Sequence, residues 1–212
     1  MSRRFGRLFA GMATTSMVLG LTMAGAGTAL AADQAYSTNT EIPLTYTCNY
    51  PLIGEAPLTV TATFQGPDSI AGGGTFQAHT VTAVATVPAD VVGALYFLGG
   101  IDGVRGTADA SVAVSGGTPA TVNVTDLGVA EQFVTDPNVD FPVNAAQTSS
   151  TVVPAITAAS SGTLTASLGA TFSASLDFHY LNATPEWQGP ESFDCTLDSG
   201  QEPAFSPSLT IG

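Results

Sequence analysis

Residues 58–64 read LTVTATF, an uninterrupted alternation of apolar and threonine side chains. A period of two places the apolar side chains on one face of a β-strand and the threonines on the other. Residues 172–180, FSASLDFHY, repeat this pattern, and no helical periodicity follows Ala32. The sequence therefore predicts an all-β protein in which each strand has one buried face.

Other alternating segments predict further strands, and clusters of Gly, Pro, Ser and Asp separate them. These strands are expected over residues 42–50, 104–114, 120–124, 164–168, 193–197 and 205–211. Short alternating strands with such turns favour an antiparallel β-sandwich of the immunoglobulin-like, Greek-key type. The phase of the alternation slips near His79 and Thr80, which predicts a β-bulge. Residues 91–98 are expected to form a short apolar strand, and residues 129–149 an irregular loop.

The first 31 residues have the pattern of a secretory signal peptide. Three arginines precede an apolar stretch, and Ala29-Leu30-Ala31 supplies the small residues before a cleavage site at Ala32. A transmembrane anchor is the alternative, but it needs about 18 or more consecutive apolar residues, and Gly and Thr interrupt this stretch. We expect residues 1–31 to be removed, residues 32–40 to form a flexible lead-in, and residues 41–212 to form a single β-sandwich domain.

The expected mature chain is strongly acidic. The full sequence of 212 residues has 17 Asp and Glu against 4 Lys and Arg. Removal of residues 1–31 leaves all 17 acids and Arg105 as the single basic side chain other than His, a net charge of −16. Such a chain excludes nucleic-acid binding, which needs a basic face for phosphate contacts. It also predicts a soluble protein without a membrane span, secreted to the exterior and held at the cell surface, if at all, by non-covalent contacts.

Cys48 and Cys195 are the two cysteines of the sequence. Two cysteines in an oxidising compartment usually pair, and both lie on the inward phase of their predicted strands. We therefore expect one buried disulfide that closes a loop of about 148 residues. Two inert buried thiols are the alternative, whereas the absence of a C-x-x-C spacing argues against a redox-active pair.

The two cysteine neighbourhoods carry a resemblance. Residues 48–54, CNYPLIG, and residues 195–201, CTLDSGQ, resemble the opening and closing segments of a family of secreted actinobacterial β domains of unknown function. In pattern form these are C-x-Y-P-x-x-G and C-x-x-D-x-G-Q. The resemblance implies an actinobacterial source, a disulfide and a β fold, and it transfers no functional residue.

The chain offers little that is typical of an enzyme. It has no G-x-S-x-G nucleophile motif. His179 lies on the outward phase of its strand, which favours a solvated surface histidine over a general base. His79 lies at the expected bulge, and a structural role is favoured there as well. We therefore predict a non-catalytic protein without a cofactor.

Asp136, Asn138 and Asp140 place oxygen-bearing side chains at the first, third and fifth positions of a partial calcium motif. Phe141 stands where the sharp turn requires Gly, and Gln147 where a bidentate Glu belongs. An acidic surface loop is therefore favoured over a calcium site, and no other metal site is expected.

Trp187 lies in a predicted loop and, with Tyr180, is a candidate patch for stacking a sugar or a peptide. The alternative is a loop tryptophan that folds back onto the core. The predicted function is a secreted binding or adhesion domain whose ligand is a protein or a cell-wall glycan. A self-assembling surface-layer subunit, and hence a homo-oligomer, is the alternative. A membrane pore and a hydrolase are less favoured, since aromatic girdles and catalytic motifs are missing.

Overall fold

A computed structural model describes residues 32–212. The predicted signal peptide, residues 1–31, lies outside the described residues. The described part contains one helix, α1 (Ala89–Gly99), and strands in the following order. They are β1 (Asp33–Ser37), β2 (Leu44–Tyr50), β3 (Gly54–Pro67), β4 (Ser69–Ile70), β5 (Thr75–Phe76), β6 (His79–Val87), β7 (Ile101–Ser115), β8 (Gly117–Thr118), β9 (Thr121–Phe133), β10 (Phe141–Ala146), β11 (Ile156–Ala158), β12 (Gly162–Tyr180), β13 (Trp187–Leu197) and β14 (Leu209–Ile211).

One sheet contains eleven strands, and eight of them form a ring in which the sheet closes on itself. The order around the ring is β13-β2-β3-β6-β10-β9-β7-β12, and β12 pairs again with β13. Every pair in the ring is antiparallel. The all-β class is thus confirmed. The immunoglobulin-like sandwich is not confirmed, because the strands form a single closed sheet where a sandwich has two facing sheets.

The strand order also explains where α1 lies. β7, β9 and β10 occur in reverse order around the ring, so the chain must cross one end between β6 and β7. Helix α1 makes this crossing and buries Val91, Val92 and Leu95. We call this end the α1 end. The three-stranded sheet β5-β11-β8 is formed by segments that connect strands at the opposite end.

The prediction of a strand over residues 91–98 is wrong, because this segment belongs to α1. A short continuous apolar run fits a buried strand and a buried helix equally well. Interactions at the two ends of the segment favour the helix. The Asp140 carboxylate accepts a hydrogen bond from the Ala89 backbone N–H at 2.9 Å, and Gly100 ends the helix in the left-handed conformation at φ 67°.

The prediction of an irregular loop over residues 129–149 is wrong for residues 129–133 and 141–146. β9 continues to Phe133, and β10 occupies residues 141–146. The register against β7 shifts because the four residues of β9 from Val129 to Gln132 lie opposite only three residues of β7, from Gly106 to Val104. This bulge interrupts the alternation that the sequence would otherwise show.

Residues 33–37 form β1, so the prediction of a flexible lead-in over residues 32–40 is wrong for this segment. β1 pairs with residues 63–67 of β3, whereas β2 pairs with the preceding residues 54–60 of the same strand. Tyr36 is buried and stacks on Phe64 at a centroid distance of 4.9 Å. Thr38 is 1% exposed, and its hydroxyl accepts a hydrogen bond from the Ala62 N–H at 3.0 Å. These contacts with β3 stabilise β1, although the polar sequence of this segment did not predict a strand.

Two further predictions are confirmed. The Cys48–Cys195 disulfide joins directly paired residues of β2 and β13, and both cysteines are buried. It therefore links the first and last strands of the ring where the sheet closes. The bulge near His79 is present, since β6 has an extra residue between His79 and Thr82 relative to β3, and Thr80 has φ 52°.

The inward faces of the strands form the core, and this core is incompletely filled. The ring encloses a cavity of about 210 Å³ that is lined almost wholly by apolar side chains. Among residues 32–212 no helix has the length and apolar composition that crossing a bilayer requires.

Candidate functional site

A row of directly paired residues crosses four strands on the outer face near the α1 end. Phe133 on β9 pairs with Gly103 on β7, Gly103 pairs with His179 on β12, and His179 pairs with Trp187 on β13. Directly opposed residues of antiparallel strands share a face. The centroid of the His179 ring lies 5.1 Å from those of both Phe133 and Trp187.

Gly103 is the residue that lets these rings meet. A Cβ atom at this position would lie 2.8 Å from Cδ1 of Phe133 and 3.0 Å from Cβ of His179. The first distance is shorter than a carbon–carbon contact allows. The absent side chain therefore leaves room for the Phe133 ring to reach across β7.

Arg105 lies two residues beyond Gly103 on the same face of β7. Its guanidinium carbon lies 4.2 Å from the centroid of the Trp187 ring, a cation–π arrangement. Its Nε donates to Asp177 Oδ2 at 3.1 Å, and its Nη1 approaches Glu131 Oε2 at 3.5 Å. Arg105 is thus held between two carboxylates and fixes one side of the Trp187 ring.

His179 is held between two other carboxylates. Its Nδ1 forms an ion pair with the Asp102 carboxylate, and its Nε2 lies 3.5 Å from Glu186 Oε2. The hydrogen bond to Asp102 raises the pKa of His179, and Glu186 acts in the same direction. The prediction of a solvated histidine is wrong, since the side chain is only 15% exposed beside Phe133 and Trp187.

We call this group the Trp187 cluster: Trp187, His179, Phe133 and Arg105 with the carboxylates of Asp102, Glu131, Asp177 and Glu186. With His179 protonated, four carboxylates face two cations, so the cluster is acidic. Nδ1 of His179 is engaged by Asp102, and its Nε2 lies beside the exposed Glu186 carboxylate. The cluster offers aromatic surface beside hydrogen-bond acceptors, of which Glu186 is 72% and Glu131 49% exposed.

Residues 45–206 match the model of a family described only as a family of unknown function (DUF6801). The chain belongs to this family. The matched segment contains both cysteines and every residue of the Trp187 cluster. Searches of curated proteins and of solved structures found no match. The resemblance to a family of unknown function is thereby supported, while the actinobacterial source stays a prediction.

The two residues proposed as a stacking pair lie on neighbouring strands, but their rings do not form an aromatic pair. Tyr180 packs against the hydrophobic core, and its ring is not among the aromatic partners of Trp187 in residues 32–212. Trp187 begins β13 and contacts Phe133, His179 and Arg105 instead. Family membership alone does not assign a role to either residue.

Sequence reasoning singled out Trp187 and His179 but missed the other members of the cluster, which are Phe133, Arg105 and the four carboxylates. Phe133 lay in the segment predicted to be an irregular loop, and Asp102 lies 77 positions from His179. The alternation marked His179 as outward-facing, but only the pairing of β7 with β9, β12 and β13 shows which aromatic and acidic residues surround it.

The partial calcium motif has protein donors on its carboxylates. Asp136 Oδ1 accepts hydrogen bonds from the N–H of Asn138 at 2.9 Å and from its side-chain amide at 3.0 Å. These bonds lower the pKa of Asp136. Asp140 caps α1. In the part of the chain that the structure describes, no group of three or more His, Cys, Asp or Glu is arranged to hold a metal ion.

His79 lies far from the Trp187 cluster along the ring, at the start of β6. Its Nε2 approaches Asp33 Oδ2 on β1 at 3.3 Å, and 44% of its side chain is exposed. This contact joins β1 to the neighbouring bulge of β6 at a surface position.

Proposed function

We propose that this protein is an extracellular, non-catalytic binding domain whose Trp187 cluster recognises a cell-wall glycan. The observation that carries the proposal is the cross-strand row of Phe133, His179 and Trp187, placed beside four carboxylates on the outer surface. Sugar rings present C–H faces that pack on aromatic side chains, and their hydroxyl groups donate hydrogen bonds to carboxylates.

Several features favour a glycan over other ligands. The excess of carboxylates disfavours polyanions such as nucleic acids. The ion pairs of Arg105 and His179 hold the aromatic side chains in fixed orientations, which lowers the entropy lost when a ligand binds. Secretion is supported by the N-terminal sequence pattern, and a buried disulfide is compatible with an extracellular location.

The closed sheet weighs against the alternative of a subunit that assembles through strand edges. Closure gives each ring strand a paired neighbour on both sides, so the ring has no strand with a completely free edge to template another copy, although β13 pairs with β2 over three residues and β10 with β9 over two. Size-exclusion chromatography over a hundredfold concentration range should therefore give a constant, monomeric elution volume. A volume that decreases with concentration would favour the assembly.

Retention on insoluble cell-wall polysaccharide tests the proposal. We expect the Trp187→Ala variant to lose about tenfold or more in affinity, because the aromatic platform is removed. Phe97→Ala is the matched control, since Phe97 is 65% exposed on α1 and lies outside the cluster. Circular dichroism of both variants establishes that they are folded.

Equal retention of the two variants would refute the glycan site. If protease treatment of the wall abolished the retention of the wild-type protein, the ligand would be a wall-attached protein. That result would contradict the choice of a glycan, even if Trp187→Ala weakened binding.

A further inference from the structure

We infer that the cavity inside the ring binds one small, uncharged, hydrocarbon-rich molecule. This site is separate from the Trp187 cluster, because the cavity is lined by inward-facing side chains and the cluster lies on the outer face. The inference therefore does not depend on the proposed recognition of a glycan.

The cavity arises from alanines at inward positions. Ala62, Ala83 and Ala145 are directly paired across β3, β6 and β10. Ala108 and Ala174 are directly paired across β7 and β12. β6 and β12 lie four positions apart in a ring of eight, so the two alanine rows are on opposite sides. In a closed sheet of eight strands larger inward side chains can fill the interior, and the alanines leave it open.

The size of the cavity suits a small ligand. Its volume is about 210 Å³, whereas an engineered apolar cavity of about 150 Å³ remains dry and binds benzene. Tyr50, Phe141 and Val92 line it towards the α1 end, and Phe64, Phe76 and Phe205 line it towards the other end. A small hydrocarbon in the cavity would therefore be bounded by aromatic side chains towards both ends.

The polarity of the lining indicates that the ligand is uncharged. The hydroxyl groups of Thr63 and Thr82 bond to each other at 2.7 Å. Asp109 is exposed to solvent, and its carboxylate accepts the N–H of Asp126 at 2.8 Å. Within residues 32–212 every buried side-chain nitrogen or oxygen has a hydrogen-bond partner. A charged ligand group would therefore be buried without compensation, which is strongly unfavourable.

The test is a fluorescence titration with N-phenyl-naphthylamine, an uncharged apolar probe, on the mature protein. We expect saturable enhancement of the probe emission with one site per chain, and a melting temperature that rises with probe concentration. Ala174→Leu fills the cavity and should weaken probe binding by roughly tenfold or more. Ser173→Leu places the same side chain on the outer face of the same strand and should bind like the wild-type protein.

Ala83→Leu fills the cavity from the opposite side of the ring and serves as a second variant if Ala174→Leu does not fold. The absence of saturable binding to the wild-type protein would overturn the inference. The inference would also be overturned if Ala83→Leu or Ala174→Leu bound the probe as tightly as Ser173→Leu does. The probe would then be bound outside the cavity.

Competition defines the chemistry of the ligand. 1-Octanol should displace the probe at concentrations roughly tenfold or more below those required for octanoate, because the cavity offers no partner for a carboxylate. Equal potency would contradict an uncharged ligand. Trp187→Ala should leave probe binding unchanged and Ala174→Leu should leave wall binding unchanged, so either proposal can fail without the other.

Discussion

At the scale of single residues, His179 shows how burial and charge act together in the Trp187 cluster. Its hydrogen bond to Asp102 raises the pKa of the imidazole above the usual histidine value. A raised folded-state pKa contributes stability that is fully present below the unfolded-state pKa of about 6.5. That contribution is lost as the pH rises through the folded-state pKa.

We therefore predict a pH-dependent effect of the His179→Asn substitution. At pH 6 the variant should be less stable than the wild-type protein by about 1.5–3 kcal/mol, the range for hydrogen bonds to charged groups. The difference should shrink as the pH is raised to 9, because the wild-type imidazole loses its charge. Urea unfolding at pH 6, 7.5 and 9 measures this difference. A difference that is constant over this range would mean that His179 stabilises by packing alone.

The disulfide is the other residue-level feature with a large predicted effect. The closed loop spans a sequence separation of 147 residues, and a chain-entropy model gives roughly 5 kcal/mol for a loop of that length. We expect the double variant Cys48→Ala, Cys195→Ala to lose about 3–5 kcal/mol of unfolding free energy. Urea denaturation compares it with the oxidised wild-type protein. An unchanged midpoint would contradict the assigned role of the bond in closing the ring.

At the scale of elements, the alternation of side chains located the strands well and their connections poorly. β2, β3, β7 and β12 lie where the alternation predicted strands, because each has one face on the core and one on solvent. The helix at residues 89–99 was missed because its apolar run suits either structure. β1 was missed because its order comes from the contacts of Tyr36 and Thr38 with β3.

The candidate site was predictable only in part. Trp187 and the outward orientation of His179 followed from the sequence. Their neighbours did not, because Phe133, Asp102 and Arg105 reach the cluster through pairing between distant strands. No local pattern encodes such a register.

The position of Arg105 within strand β7 predicts how the protein responds to trypsin. Arg105 is the single Arg or Lys in residues 32–212, and it pairs with Asp177 on β12 while Gly106 pairs with β9. Cleavage requires an extended segment to open from the sheet, so its rate follows the local opening equilibrium. We expect trypsin to leave the native mature protein intact. After reduction and denaturation it should produce two fragments that meet at Arg105–Gly106.

Mass spectrometry of timed digests identifies these products. Rapid cleavage of the native protein after Arg105 would mean that β7 opens readily at this point. A parallel digest with a protease that cuts after apolar residues is the control. Equal resistance of the native protein to both enzymes would attribute the protection to the fold rather than to the scarcity of basic residues.

At the scale of the whole molecule, closure of the sheet is the property that separates this fold from the expected sandwich. Sandwiches and closed sheets both require one apolar face per strand, so the sequence pattern is the same. The pairing of β13 with β2, which the disulfide reinforces, and of β12 with β13 decides between them.

Closure also has an energetic consequence. An empty apolar cavity costs about 24 cal/mol per Å³. For a cavity of about 210 Å³ the cost is therefore on the order of 5 kcal/mol, comparable with the lower range of net stabilities of domains. A bound hydrocarbon would offset much of this cost, whereas glycan binding on the outer face would not.

The intrinsic fluorescence of Trp187 tests the central claim, recognition of a glycan by the Trp187 cluster. Trp187 is the one tryptophan of the sequence, so every change in tryptophan emission reports on this site. Titration with soluble cell-wall glycan fragments should produce a saturable change in emission, with the same midpoint in the wild-type protein and in Ala174→Leu. An unchanged emission at glycan concentrations where calorimetry detects binding would place the ligand elsewhere and contradict the account.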